Sequence, residues 1–346
     1  MSTIDRRHFL GTVAAGSAAL TAGSELLAQN RPAAPEATAA TPPAGFTPMT
    51  TPGRVVRVNK PGSLRPGGLY PKPDDARAMV NKVVMELSGR NDLAQAWRAF
   101  VHPNDRVAIK VNGLGLRNMA SNKEVVEAIA EGLVAAGVPA AQITMYDQWD
   151  SFLASTRVNA RGLPLGRSDH VPQRRGSRPR RASPRVAPGT RSRSSKPPAV
   201  IGVPLVKDHS LCGFTGALKN MTHGSIKNPE AFHRHLCRPQ IAELFAHDAI
   251  RSRSRLHIMD AFKAVYHGGP RDSPEHRAPV EAVLASTDPV ALDRIGAEMV
   301  DQLRTQNHMG TLQARGLPPR YIDVAGTMGL GVADRARITL QTVNLT

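Results

Sequence analysis

Between Lys207 and Gly224 the chain reads KDHSLCGFTGALKNMTHG, which puts Lys207, Asp208, His209, Cys212, Lys219, Asn220 and His223 within eighteen residues, with three glycines among them. A lysine is a point charge for a carboxylate or for a developing oxyanion. A histidine moves protons near neutral pH or binds a metal. Asn220 could orient a substrate oxygen, and glycines let the backbone come close to a ligand. Any one of these residues alone also suits a surface or capping role; the grouping is what points to a site.

Other stretches could complete it. Lys110 and Asn112 end the run RVAIKVN, where a cation could hold an anionic substrate. Gly113 and Gly115 follow, but Asn118 stands where a dinucleotide fingerprint has its third glycine, so a tight strand-to-loop turn is the simpler reading. Seven of the twelve histidines lie between His209 and His267. His233 and His235, with Cys237 two further on, could chelate a metal from an extended loop but face apart on a helix. Asp260 ends the run LHIM and precedes Gly268-Gly269-Pro270. That is a recurrent place for a general base or metal ligand, and equally for a cap. In STDPVALD, Asp288 reads as a helix cap, and Asp293 is expected to be structural first.

On these residues the expected chemistry is acid–base work on a small anionic molecule. His209, Lys219 and Asp260 form the candidate catalytic set. Lys110, Asn112, Lys207, Asn220, Gly268 and Gly269 form the candidate binding set, and His209 and His223 are candidate ligands for a transition metal.

The elements that must position them alternate. Strands are expected at 54–58, 106–111, 142–146, 200–206, 256–259, 280–284 and 337–340. Amphipathic helices are expected at 74–88, 122–136, 239–250 and 289–303. Ser121 to Glu124 has capping-box spacing. A strand–helix–strand unit at 106–146 argues for an α/β fold with a mainly parallel sheet, helices on both faces and the site at the strands' C-terminal ends.

A length of 346 residues gives ample core, and no apolar run is long enough to span a membrane. Cys212 and Cys237 are the two cysteines. Unpaired thiols are the plainer expectation, with a disulfide the alternative in an oxidising compartment. The start, TIDRRHFL followed by an Ala/Gly/Leu run, has the layout of a twin-arginine export signal over 1–28, cleaved between Ser24 and Asn30. The export machinery and a periplasmic location are implied. Residues 29–50 read as a flexible Pro/Ala/Thr-rich leader and 51–346 as the folded domain.

Within that domain, 163–198 breaks the pattern, with nine Arg, seven Pro and six Ser in 36 residues and no aromatic. It supplies +9 of the net charge of +17. Three readings stand: translation out of frame between two compensating shifts, a disordered insertion, and an interaction tail. Without aromatics for base stacking, no nucleic-acid partner is expected.

Taken together, IKVN, VKDHSLCGFTGALKNMTHGSI, Asp260 with its Gly-Gly-Pro loop, and DPVALD resemble the family known as domain of unknown function 362. The likeness runs from about Val55 to Val332, with 163–198 unmatched. Some members of that family carry ferredoxin-like cysteine clusters; this chain does not, so the resemblance implies no iron–sulphur role here. Nickel-dependent lactate racemase-type proteins are similar at the level of fold and residue type alone. The resemblance implies no particular reaction. It leaves an enzyme and a non-catalytic ligand-binding or accessory redox protein as the two expectations.

Overall fold

The computed structural model describes residues 39–158, 199–226 and 228–346. The expected signal at 1–28 and the basic segment at 163–198 lie outside them. Residues 39–50, expected in the leader, lie against the domain. The Met49 amide donates to the Ala99 carbonyl at 2.7 Å, and the Phe46 ring meets His102 at 5.5 Å.

The first strand, β1 (Arg54–Asn59), leads to helices α1 (Pro73–Ser88) and α2 (Leu93–Arg98). Val80, Val83, Val84 and Leu87 give α1 its buried stripe, and Gly89 ends it in a left-handed cap. The parallel unit follows as β2 (Val107–Lys110), α3 (Leu116–Met119), α4 (Lys123–Ala135), β3 (Ile143–Tyr146), α5 (Asp150–Ser155) and β4 (Ala199–Gly202). Next come β5 (Leu205–His209), β6 (Gly213–Phe214), α6 (Gly216–Thr222), α7 (Arg238–Ala246) and α8 (Asp248–Arg251). The chain continues through β7 (Ser254–Val265), β8 (Arg277–Ser286), α9 (Pro289–Gln306), α10 (Tyr321–Thr327) and β9 (Thr339–Asn344).

The strands form one mixed, mostly parallel sheet ordered β3-β2-β4-β7-β8-β1-β9, with β5 extending the pairing along β7 and β6 folded back on β5. Alternate apolar residues of the strands feed two buried clusters, one around α1, α2 and α4 and the other around α6, α7, α9 and α10. The α/β class with its mainly parallel sheet is therefore as expected.

Four local expectations are corrected. The run 200–206 is two strands, because Pro204 has no N–H for the ladder; its carbonyl accepts from the Asp260 amide at 2.9 Å. The run 256–259 is part of a twelve-residue strand, because β5 supplies a partner beyond β4. Asp260 is thus mid-strand. The run 239–250 is two helices, broken at His247, whose φ −64 and ψ 131 are extended. The capping box does not form: Ser121 Oγ is engaged by the Asn112 amide and the Val203 carbonyl, the Ser121 amide donates to the Asn112 carbonyl at 2.8 Å, and Glu124 pairs with Arg65 and Arg157.

Sheet order also sets where a ligand can sit. From β2 the chain moves outward to β3, then returns past β2 to β4, so the connections diverge at the carboxyl ends of β2 and β4. Such a switch point leaves a crevice at the strand ends. Lys110 and Gly202 are register partners there.

Two aspartates at the start of α9 fix helices, Asp288 its own and Asp293 a distant one. Asp288 accepts from the Val290 and Ala291 amides at 3.0 Å, as the sequence suggests, and also from Gly53 and Val332. Asp293, on α9, accepts from the Ala217 and Leu218 amides in the first turn of α6 and from Tyr321 Oη at 3.3 Å. Gly216 has φ +54, and a Cβ there would collide with that carboxylate. Replacing Asp293 by Ala leaves two buried helix-start amides without an acceptor. We expect a loss of about 2 kcal/mol or more in urea unfolding, with Asp293→Asn losing less because it keeps one oxygen acceptor.

Candidate functional site

At the switch point three lysines are buried together. Lys110 and Lys207 have no solvent exposure and Lys219 is 6 % exposed. Lys110 ends β2, and its Nζ donates to Asp147 Oδ1 at 2.8 Å, to the Val111 carbonyl at 2.6 Å and to Asn220 Oδ1 at 3.2 Å. Asn112 Nδ2 donates to that same Asn220 oxygen at 3.3 Å. Asn112 Oδ1 in turn accepts from Lys207 Nζ at 2.8 Å. Asp147, Lys110, Asn220, Asn112 and Lys207 therefore form one continuous hydrogen-bonded chain. Lys219 lies beside it, one residue before Asn220 on α6, and its ammonium has no hydrogen-bond or ion-pair partner among the described residues.

The local sequence explains these placements. β5 alternates, so Lys207 faces the cluster while Asp208 faces away. Asp208 there pairs with Arg315 at 2.9 Å and accepts from the Gly269 amide at 2.6 Å. The loop after β2 closes on itself through Ser121, whose Oγ accepts from the Asn112 amide and donates to the Val203 carbonyl. Gly224 is small for a reason: a Cβ there would lie 2.5 Å from Lys110 Nζ.

The electrostatics follow from burial. Among the described residues, three ammonium groups stand against one contacting carboxylate, Asp147; the more distant Asp272 is paired with Arg277 at 3.6 Å. Desolvation pulls Lys207 and Lys219 down to about 7, the field of each neighbouring ammonium adding to the fall at Lys207. Lys110 is lowered by burial as well, with Asp147 opposing the shift.

On the other side of Lys219 lie three histidines. The His209 and His233 rings stack at 5.7 Å between centroids, and His223 meets His233 edge-on at 4.7 Å. Burial and the Lys219 charge hold all three neutral, His209 down to about 2. His209 Nδ1 accepts from the Leu211 and Cys212 amides at 3.0 and 3.2 Å, which puts its proton on Nε2. His223 Nε2 and His233 Nδ1 each face a carbonyl oxygen, of Phe232 at 3.2 Å and Pro229 at 2.8 Å, and so each donates there.

Cys212 and Cys237 are joined in a disulfide against these rings, contrary to the expectation of free thiols. Cys237 reaches Cys212 because His235, Leu236 and Cys237 all have φ between 50° and 59°, a left-handed reversal that no glycine provides. The same reversal leaves His235 exposed and away from His233, so these two do not chelate together. His209, Cys212 and His233 form one group whose ligand atoms lie within 4.8 Å of one another, and His223, His233 and Cys237 form a second.

Three expected site residues fall elsewhere. Asp260 is buried with both oxygens held by Asn122, at 2.7 to 3.0 Å, and positions the start of α4. Gly268 and Gly269 form a turn clamped to Asp208 rather than to the lysines; the Ser210 amide donates to the Gly269 carbonyl. Sequence reasoning missed Asp147 as a site residue. The available signal was its position directly after β3, the strand beside β2.

The buried lysines carry a pH signature. Lys207 and Lys219 titrate near 7 in the folded chain and near 10.5 when unfolded. Between those values the unfolded chain holds more protons, so stability rises with pH across that window. We expect unfolding free energies measured from pH 7 to 10 to climb, and Lys219→Met to remove about one proton from the slope.

A family model described as domain of unknown function (DUF362) matches residues 195–298. That span holds Lys207, His209, Lys219, Asn220, His223 and the disulfide, while Lys110, Asn112 and Asp147 come from outside it. No curated protein and no solved structure matches the chain.

Proposed function

We propose that the protein binds and acts on a small anionic molecule at the Lys110–Lys207–Lys219 cluster. The observation that carries this is the charge imbalance: three buried ammonium groups with one contacting carboxylate among the described residues. A bound carboxylate, phosphate or sulfonate would supply the missing negative charge, and the unpartnered Lys219 is the natural contact. Lys110 and Lys207, held by Asp147, Asn112 and Asn220, fix the positive field. Lys219 sits near 7, where a group both gives and takes a proton at neutral pH, and it is the proton-transfer residue in this reading. His209, held neutral, serves as an Nε2–H donor to the substrate rather than as an imidazolium acid.

This assigns an enzyme or cofactor-dependent protein. The second reading, a ligand-binding or accessory redox protein, is favoured by the disulfide packed against the histidines. A transition metal is the cofactor class that those histidines suit. We also place the protein outside the cytoplasm by the twin-arginine route. Arg6 and Arg7 with the apolar run behind them support this, as does a disulfide in a chain with two cysteines.

The test is a thermal-shift panel of small carboxylates, phosphates and sulfonates at pH 6 and pH 9, followed by turnover assays on whichever anion binds. Stabilisation above that of chloride at equal ionic strength, greater at pH 6 and lost in Lys219→Met, is expected. If no anion exceeds chloride, or Lys219→Met behaves as the parent, the lysine cluster is not the site. Fusing residues 1–38 to a folded reporter tests the address: export is expected, and Arg6→Lys with Arg7→Lys is expected to abolish it.

A further inference from the structure

The disulfide and the histidines make one cluster, and the chemistry of that cluster depends on whether the sulphurs are joined. Both three-residue groups contain one of the two cysteines, and both share His233. A cystine sulphur is a poor metal donor, whereas a thiolate is among the strongest for Zn2+. We propose that reduction of the Cys212–Cys237 disulfide opens a tetrahedral divalent-metal site made by both thiolates with His233 and His223, a site suited to Zn2+.

Three features of the structure carry this. The first is proximity: the ligand atoms of each group already lie within 4.8 Å of one another. Tetrahedral zinc with sulphur and nitrogen donors needs about 3.3 to 3.8 Å between ligand atoms, so the contraction within each group is small, and the two groups meet through their shared His233 and their joined sulphurs. The second is the set of outer hydrogen bonds. His233 donates Nδ1–H to the Pro229 carbonyl, and His223 donates Nε2–H to the Phe232 carbonyl. Each ring is thereby anchored through one nitrogen, the arrangement by which metal-binding histidines are oriented; the other nitrogen keeps its lone pair, which in His223 faces Thr222 Oγ1 at 3.2 Å, a contact that ligation would replace. His209 is the exception: its Nδ1 accepts two amides, so ligation through Nε2 would require that proton to be lost as well.

The third feature is charge. Lys219 bears on all three histidines. With the disulfide closed, a divalent cation among neutral imidazoles would face that ammonium with nothing to offset it. With the disulfide open, two thiolates neutralise the cation, and Lys219 faces a neutral complex. The redox state of the cysteines therefore decides whether metal binds.

The steps balance. A dithiol reductant gives two electrons and two protons to the Cys212–Cys237 bond, becoming a disulfide itself and leaving two cysteine thiols. Zn2+ then takes both sulphurs as thiolates, and the two thiol protons pass to solvent. The proposed ligands, Cys212, Cys237, His223 and His233, are distinct from the anion site's Lys110, Lys207, Lys219 and His209, although His209 stacks on His233.

The test uses the full chain in both redox states. Oxidised protein, and protein reduced by dithiothreitol with the reductant then removed under anaerobic conditions, are titrated with Co2+ and then with Zn2+ against a chromophoric chelator. Expected for the reduced chain is one equivalent of Co2+, with a thiolate-to-cobalt charge-transfer band and the intense visible bands of tetrahedral Co2+, displaced by Zn2+. The oxidised chain is expected to bind at least about a hundredfold more weakly. Cys212→Ser and His233→Ala should lose the thiolate band or weaken binding by at least about tenfold, and Lys219→Met should keep the band. Equal binding in both states, or no binding by reduced protein that retains its far-ultraviolet circular dichroism, overturns the proposal. The comparison of redox states needs no variant, so misfolding of a substituted chain cannot mask the answer. Loss of anion binding in Lys219→Met with the cobalt band intact would separate the two sites.

Discussion

Among the described residues, Asp147 is the one carboxylate in contact with the Lys110–Lys207–Lys219 cluster, and the architecture around it is an answer to that shortage. Amide oxygens of Asn112 and Asn220 accept from the ammonium groups, but a neutral amide satisfies a hydrogen bond without cancelling a charge. The remaining positive charge has two outlets: a proton leaves a lysine, or an anion enters. Much of the nearby structure holds this balance in place. The switch point puts Lys110 at the end of β2. Gly224 makes room for its Nζ, and Asp293 reaches from α9 to fix the helix that carries Lys219 and Asn220. The pair of asparagines links lysines that are far apart in sequence into one unit, so each lysine's position depends on the others.

The acidic residues divide their work in a way that residue type alone does not reveal. Asp260 and Asp293 each bind amides at a helix start supplied by a different part of the chain, and Asp288 caps its own helix while also accepting from the distant Gly53 and Val332 amides. They hold the frame. Asp147, which looks unremarkable in sequence, is the carboxylate that meets a buried cation. The histidines and lysines exchange expected parts for a related reason. Burial keeps the histidines neutral far below their usual range and brings two lysines down into the range where histidine normally works.

Where periodicity was strong, the sequence was readable. The helices at Pro73–Ser88 and Lys123–Ala135 and the strand at Ile143–Tyr146 fall within a residue or two of their expected bounds, because each buries one regular face, and the strand at Val107–Lys110 does so as a short run buried throughout. The strand at Ser254–Val265 was underestimated, since its second half is held by a neighbour that no local pattern announces. Lys110, Asn112, Lys207, Lys219 and Asn220 were legible as a group by their positions at strand ends and beside glycines. The pairing of Cys212 with Cys237 was not. It depends on three successive left-handed residues, His235 to Cys237, and non-glycine side chains give no warning of that geometry.

The sheet order has a consequence for how the molecule can be divided. The matched span 195–298 contributes β4, β7 and β8, which are consecutive in the sheet, with β2 and β3 on one flank and β1 and β9 on the other. The span is therefore the middle of a sheet, closed on both sides by sequence from outside it. Excised, it would expose unpaired strand edges along β4 and β8, the kind of surface that recruits other chains. The recognisable segment and the smallest expressible piece are different objects here. Dissection of this protein should follow hydrogen-bonded neighbours rather than the limits of similarity.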